Sequence, residues 1–130
     1  MTSLRRSPEK IRLPLGFSFS AVAAGIKVSG RPDLALAEAA SGATAAALFT
    51  KNRVVAAPVE TGRAALLSTG GRVRAVVVNS GNANCATGRD GFQACERVCR
   101  EAGNLFGVPA AEIFPSSTGI IGVRLSVEKI

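Results

Sequence analysis

The chain has no histidine, tryptophan or tyrosine, and only 9 of its 130 residues are acidic. Without histidine, no Ser-His or Cys-His nucleophile–base pair can form within it. The three cysteines, Cys85, Cys95 and Cys99, have no imidazole to complete a metal set and no CxxC spacing, so no metal site is expected. Cys95 and Cys99 are four apart and could share a helix face. All three read as reduced thiols packed as small hydrophobes, which points to a reducing, cytoplasmic setting. The acids are scattered, and no pair of them has a catalytic spacing. With 6 Phe as the only aromatics, the platform on which nucleic-acid bases stack is missing. No stretch approaches the ~20 apolar residues of a membrane span. Ala21-Val22-Ala23 imitates a signal-peptidase site, but Pro14 and Gly16 interrupt the short apolar region before it, so neither export nor a membrane is expected.

What is present is small, apolar and basic. A hydrophobic fraction of 47% over 130 residues suits one globular domain able to bury a core. Alanine and glycine dominate; they let backbones pack closely but supply few large anchors, leaving room for a partner chain or a missing remainder. The net charge of +7 sits in the first 74 residues, scattered from Arg5 and Arg6 to Arg72 and Arg74. Scattered charge without a binding module reads as solvated surface with some steering of anionic substrates.

Residues 1–13 read as a flexible basic lead-in and residues 14–130 as the domain. Gly16 to Val28 suits a strand and turn, and Ser29-Gly30-Arg31-Pro32-Asp33 a further turn. Leu34–Glu38 and Ala45–Thr50 are two candidate strands joined by Ser41-Gly42. Pro58 suits a strand start or edge, Arg63–Leu67 a short helix, and Gly70-Gly71 a turn. Val73–Val78 is a β-rich run. The clearest helix covers about Gly91 to Phe106, where Phe92, Cys95, Cys99, Ala102 and Phe106 make one apolar stripe. Asp90 is its expected N-cap and Gly107 its expected stop. Ser126 resembles the N-cap of a further helix.

Two polar segments carry chemistry. Asn79-Ser80-Gly81-Asn82-Ala83-Asn84 follows the Val-rich strand, as a loop where a rigid scaffold presents functional groups. Its three carboxamides donate and accept hydrogen bonds without charge; they could serve a polar site or simply cap their own backbone. Ser116-Ser117-Thr118-Gly119 places a hydroxyl beside a glycine amide. That pair suits an oxyanion hole, where two donors meet the negative oxygen of a tetrahedral intermediate. A polar turn would use the same tetrapeptide. No GxxxxGK[ST] or GxGxxG occurs, so nucleotide binding finds no support. Any covalent acyl chemistry would need a nucleophile and base from elsewhere.

The residues from Pro14 to Ile130 resemble the N-terminal part of the ornithine acetyltransferase (glutamate N-acetyltransferase) family of arginine biosynthesis. The resemblance rests on Ala23-Ala24-Gly25-Ile26-Lys27, on Phe49-Thr50-Lys51-Asn52-Arg53 with Ala56-Ala57-Pro58-Val59, on Asn79–Asn84, and on Ser117-Thr118-Gly119-Ile120-Ile121-Gly122, in that order and spacing. It implies an α/β architecture of the α+β type, layered sheets covered by helices in the DmpA/ornithine-acetyltransferase manner, incomplete here. In the family a precursor cuts itself before a threonine, and the two chains stay associated, as a heterotetramer of two chain types. The new N-terminal threonine takes the acetyl group of N-acetylornithine and passes it to glutamate, its own amine serving as base. No cofactor is implied, though acetyl-CoA can be a co-substrate. Thr118 and Gly119 would be the oxyanion hole, and Asn79, Ser80, Gly81, Asn82 and Asn84 would shape the site.

Two departures bear on this. Cys85-Ala86-Thr87-Gly88 reverses the family's usual Ala-Cys-Thr-Gly, an exchange of small residues that packing tolerates. More seriously, the nucleophilic threonine and most substrate-binding residues lie beyond Ile130 in the family, and none of Thr44, Thr50, Thr61, Thr69 or Thr87 matches the nucleophile's motif. The chain alone is therefore expected to be inactive. The other readings are a binding or structural subunit, or a basic module for polyanions.

Overall fold

The computed structural model describes residues 12–130. The expected lead-in therefore lies outside the described residues, save its last two positions. Four strands form one sheet in the order β1-β2-β3-β4: β1 Phe17–Val22, β2 Leu34–Thr44, β3 Arg72–Asn82 and β4 Ile113–Ile120. The first three are antiparallel neighbours, and β4 runs parallel to β3. Helix α1, Ala57–Thr69, precedes β3, and helix α2, Gly88–Phe106, crosses over from β3 to β4. The mixed α/β class expected from the sequence is the one observed.

Alternation builds β3. Val73, Ala75, Val77 and Asn79 are buried while the residues between them are only half-covered, the period-two pattern of a strand with one face on a core. That core joins Ala75 and Val77 to Val98 and Cys99 of α2, Ile113 of β4, and Leu125. Ile113 has no exposure at all, worth about 1.5–3 kcal/mol of transfer from water. The stripe read from the sequence is the face α2 turns inward, with Cys95 and Cys99 fully buried and Phe106 packed at the margin. The Cys99 thiol is pushed up by its hydrogen bond with Cys95 and by burial, so it stays protonated. All three cysteines are free.

Several local expectations need correction. β2 is one strand through Thr44, because a bulge between Glu38 and Ala43 absorbs Ser41-Gly42; Ala45–Thr50 forms no strand. Pro58 opens α1 instead of a strand, since the first helical turn needs no N–H from it. α1 is thus longer than the Arg63–Leu67 expected, and ends on the left-handed Gly70. The N-cap of α2 is Thr87, not Asp90; Asp90 stands in the first turn and pairs with Arg124 at 2.6 Å on the exposed surface. After Ser126 only a single 3-10 turn, Val127–Lys129, is formed.

The helices lie chiefly on β3 and β4, so the outer half of the sheet is poorly covered. β1 is exposed along its whole length. Phe17 and Phe19 stack with ring centroids 6.4 Å apart, yet remain 43% and 51% exposed. By register they share a face with Ala21, Ala35, Ala37 and Val76. On the other face an apolar groove of about 270 Å³ lies between Leu34, Leu36 and Val77 of the sheet and Ala102 and Phe106 of α2. The apolar surface thus lies open on both faces of the sheet's outer half, beside the unpaired edge of β1 among the described residues.

Candidate functional site

The two polar segments meet where the parallel strands β3 and β4 end. Both are strand ends and not the loops expected: Asn79 pairs with Ser117, Ser80 with Thr118, and Gly81 with Gly119. The β3–α2–β4 crossover dictates this meeting, because parallel strands finish at the same edge, where sheets of this kind present ligands. The pairing register shifts at Asn82, which faces both Thr118 and Ile120, and the segments stay joined beyond it, the Ala83 N–H donating to the Ile120 carbonyl and the Gly122 N–H to the Cys85 carbonyl, both at 2.9 Å.

Two glycines make the approach possible. Gly119 has φ +133, and a Cβ there would fall 2.3 Å from the Gly81 carbonyl carbon and 2.5 Å from the Asn82 nitrogen. Gly81 itself has φ +106. No side chain fits at Gly119 without parting the strands. Beside it Thr118 is exposed, and its hydroxyl has no hydrogen-bond partner among the described residues.

The asparagines are spent on the scaffold. Asn79, Asn82 and Asn84 are all buried. Asn79 Nδ2 donates to the Asn82 carbonyl at 2.8 Å, and Asn82 Nδ2 to the carbonyls of Val123 and Arg124 at 3.0 and 3.1 Å. Asn82 Oδ1 accepts the Asn84 N–H at 2.7 Å. Asn84 Nδ2 donates to Gly91, in the first turn of α2, at 2.9 Å, and its Oδ1 accepts the Thr87 hydroxyl at 3.3 Å. Together they fix β3, the start of α2 and the segment after β4 relative to one another. Ser80 and Gly81 are half-buried beside Thr118 and Gly119. No group of three or more metal-ligating side chains occurs among the described residues.

One site-bordering residue escaped the sequence reading. Asp33 is 3% exposed, and its carboxylate accepts the backbone N–H groups of Ala24 at 2.7 Å and Lys27 at 2.6 Å. Its carbonyl accepts the Ser80 N–H at 2.8 Å. The Lys27 N–H, aided by other backbone donors, holds this carboxyl below its ordinary range. The turn it ties down, Ala24–Lys27, lies against Gly81, where a Cβ would meet Lys27 Cγ at 2.9 Å. An acid directly before the apolar run Leu34–Ala37 was the available signal.

The model of the ArgJ family matches residues 18–130. The chain belongs to the ArgJ family. A relative called arginine biosynthesis bifunctional protein ArgJ, from Thermus thermophilus, is 49% identical over 120 residues. Its namesake from Nitratidesulfovibrio vulgaris is 47% identical over 116. These alignments take in 92% and 89% of this chain but 31% and 29% of the relatives, so the chain spans about three-tenths of their length. Among solved structures, ArgJ from Bacillus halodurans superposes with TM-score 0.83 at 31% identity, over 88% of this chain and 59% of that one. The ornithine acetyltransferase of Mycobacterium tuberculosis, solved with ornithine, gives 0.79 at 43% identity, over 89% and 62%. The open sheet face and groove thus belong to the N-terminal part of an ArgJ fold whose relatives carry much more chain. No helix of the described residues is long and apolar enough to cross a membrane.

Proposed function

We propose that this chain is the oxyanion-hole portion of an acetyltransferase of arginine biosynthesis, moving an acetyl group from N-acetylornithine to glutamate. The observation that carries the reading is the Thr118–Gly119 pair: an unpartnered hydroxyl and a glycine amide, exposed together at the C-terminal edge of two parallel strands. Support comes from membership of the ArgJ family and from the likeness to an ornithine acetyltransferase solved with ornithine.

The chemistry follows from what this chain holds and what it lacks. The nucleophile is the hydroxyl of an N-terminal threonine on the companion chain, deprotonated by that chain's own terminal amine. Its oxygen bonds to the acetyl carbonyl carbon of N-acetylornithine, and the carbonyl π pair moves onto oxygen. That oxyanion receives the Thr118 O–H and the Gly119 N–H, the second carried on strand backbone whose place is set before charge develops. Collapse breaks the C–N bond, the departing amine takes the proton, and ornithine leaves an acetyl-threonine ester. The glutamate amine attacks the same carbon, the same two donors meet the second oxyanion, and N-acetylglutamate departs with threonine restored. Acetyl-CoA could load the same ester as a co-substrate, and no resident cofactor is required. The companion chain covers the exposed outer half of the sheet, and two copies of each chain make the working heterotetramer, in the cytoplasm.

The test is reconstitution of this chain with the remaining seven-tenths or so of an ArgJ polypeptide. Ornithine release from N-acetylornithine, with the acetyl group trapped on the companion chain's terminal threonine, is expected. Acetylation of a residue within these 130 instead would overturn the reading, as would an assembled complex that transfers nothing.

A further inference from the structure

We infer that Lys27 binds the carboxylate of the amino-acid substrates at the Thr118–Gly119 site, and that Asp33 is the positioning residue that presents it there. The inference rests on the acetyltransferase reading and adds to it a recognition element for the substrate's anionic end.

The placement of Lys27 is fixed from both sides. From below, Asp33 spends both carboxylate oxygens on the turn, one on the Ala24 N–H and one on the Lys27 N–H. Its own N–H donates to the carbonyl of Val22 at the end of β1, and its carbonyl takes the N–H of Ser80 on β3. One buried residue therefore clamps the turn onto β3 immediately before Gly81. An asparagine could accept through only one of its two side-chain positions, so the clamp needs an acid.

From the other side, Gly81 leaves the space a side chain would occupy to the Lys27 stem, with Cγ 2.9 Å and Ile26 Cγ2 3.3 Å from a Cβ placed there. Gly119 lies directly against Gly81 on the neighbouring strand. The Lys27 stem thus lies against Gly81, and Gly81 against Gly119. The Lys27 ammonium at the end of that held stem has no ion pair and no hydrogen bond among the described residues, although the side chain is half-buried. A compact cation with three free donors, on a stem that rests against Gly81 next to the strand carrying Thr118 and Gly119, fits a carboxylate. Both N-acetylornithine and glutamate carry one next to the reacting nitrogen.

The test uses the complete two-chain enzyme, with residues 1–130 replacing the matching segment of the Thermus thermophilus relative. Lys27→Met keeps the stem and removes the charge. It is expected to raise KM for glutamate about tenfold or more, the worth of a charge-assisted hydrogen bond, with kcat nearly unchanged. Lys27→Arg should recover most of that loss. Asp33→Asn should raise KM with Lys27 present, and should add little in the Lys27→Met background, because both act through one contact. N-acetylglutamate, which keeps the carboxylate but has no free amine to consume the reagent, should also protect the Lys27 amine from trinitrobenzenesulfonate. If Asp33→Asn does not fold, Lys27→Met and the protection experiment decide alone. An active unsubstituted enzyme with KM indifferent to Lys27→Met overturns this inference and leaves the acetyltransferase reading standing. An assembled but inactive unsubstituted enzyme overturns both.

Discussion

Replacing Gly119 by alanine should damage this protein twice over. The new Cβ would sit 2.3 Å from the Gly81 carbonyl carbon, where ordinary van der Waals contact begins at 3.4 Å, so β3 and β4 must part locally by about 1 Å. The backbone at φ +133 is also closed to alanine without strain. Strain of about 1–3 kcal/mol and overpacking of about 1–3 kcal/mol together make about 2–6 kcal/mol, a large share of the roughly 5–15 kcal/mol that holds a domain together. On the proposed reading the Gly119 amide meets the oxyanion, and displacing it by about 1 Å costs on the order of 100-fold in kcat. Gly107→Ala is the control: its φ is +63 and nothing lies within 4 Å of the added Cβ, so only the backbone cost of about 1 kcal/mol remains. Thermal unfolding and acetyl transfer would be measured on the complete enzyme for both variants. Gly119→Ala should melt well below Gly107→Ala and lose most of its turnover. Equal melting points and equal turnover would refute the close approach of the two strands.

Other outcomes follow from the same geometry. Asp33 has a folded pKa below its ordinary 3.8, so it contributes stability present above that value and lost as pH falls through the lower folded value; Asp33→Asn should flatten the acid limb of a stability–pH curve, and an unchanged limb would contradict the clamp. Phe19 is 51% exposed on an uncovered strand, so Phe19→Lys should make the isolated 130-residue chain more soluble while weakening its hold on the companion chain, both readable by analytical ultracentrifugation. Cys85 is half-buried whereas Cys95 and Cys99 are 2% and 3% exposed, so a thiol reagent should label Cys85 first in the native protein. Equal labelling of all three would place α2 wrongly. Gly62→Ala should destabilise by about 1–3 kcal/mol through overpacking, since its Cβ would lie 2.9 Å from the Phe114 ring.

What the sequence disclosed was mostly local. The α2 stripe from Phe92 to Phe106, its stop at Gly107 and the Val-rich β3 could be read because period and punctuation are written into consecutive residues. What it concealed depended on distant partners. Asn79–Asn82 and Ser116–Gly119 have turn composition yet are strand, because each finds the other across the α2 crossover, a pairing no window of sequence contains. Ser41-Gly42 looks like a break but is absorbed by a bulge. Pro58 carries the same φ restriction whether it opens a strand or a helix, and tertiary context chose the helix. Thr118 and Gly119 stand side by side in the sequence, but their place opposite Ser80 and Gly81 at the end of β3 comes only from the fold. Asp33 was not legible, because its importance lies in four backbone groups brought to it by the fold.

The most direct measurement is the kcat of Thr118→Ala and Thr118→Ser in the complete enzyme. If the Thr118 hydroxyl meets the oxyanion, alanine should lower kcat on the order of 100- to 1,000-fold with KM little changed, and serine should keep most of the activity. Equal kcat for alanine and threonine would remove the hydroxyl from the chemistry, and the central claim with it.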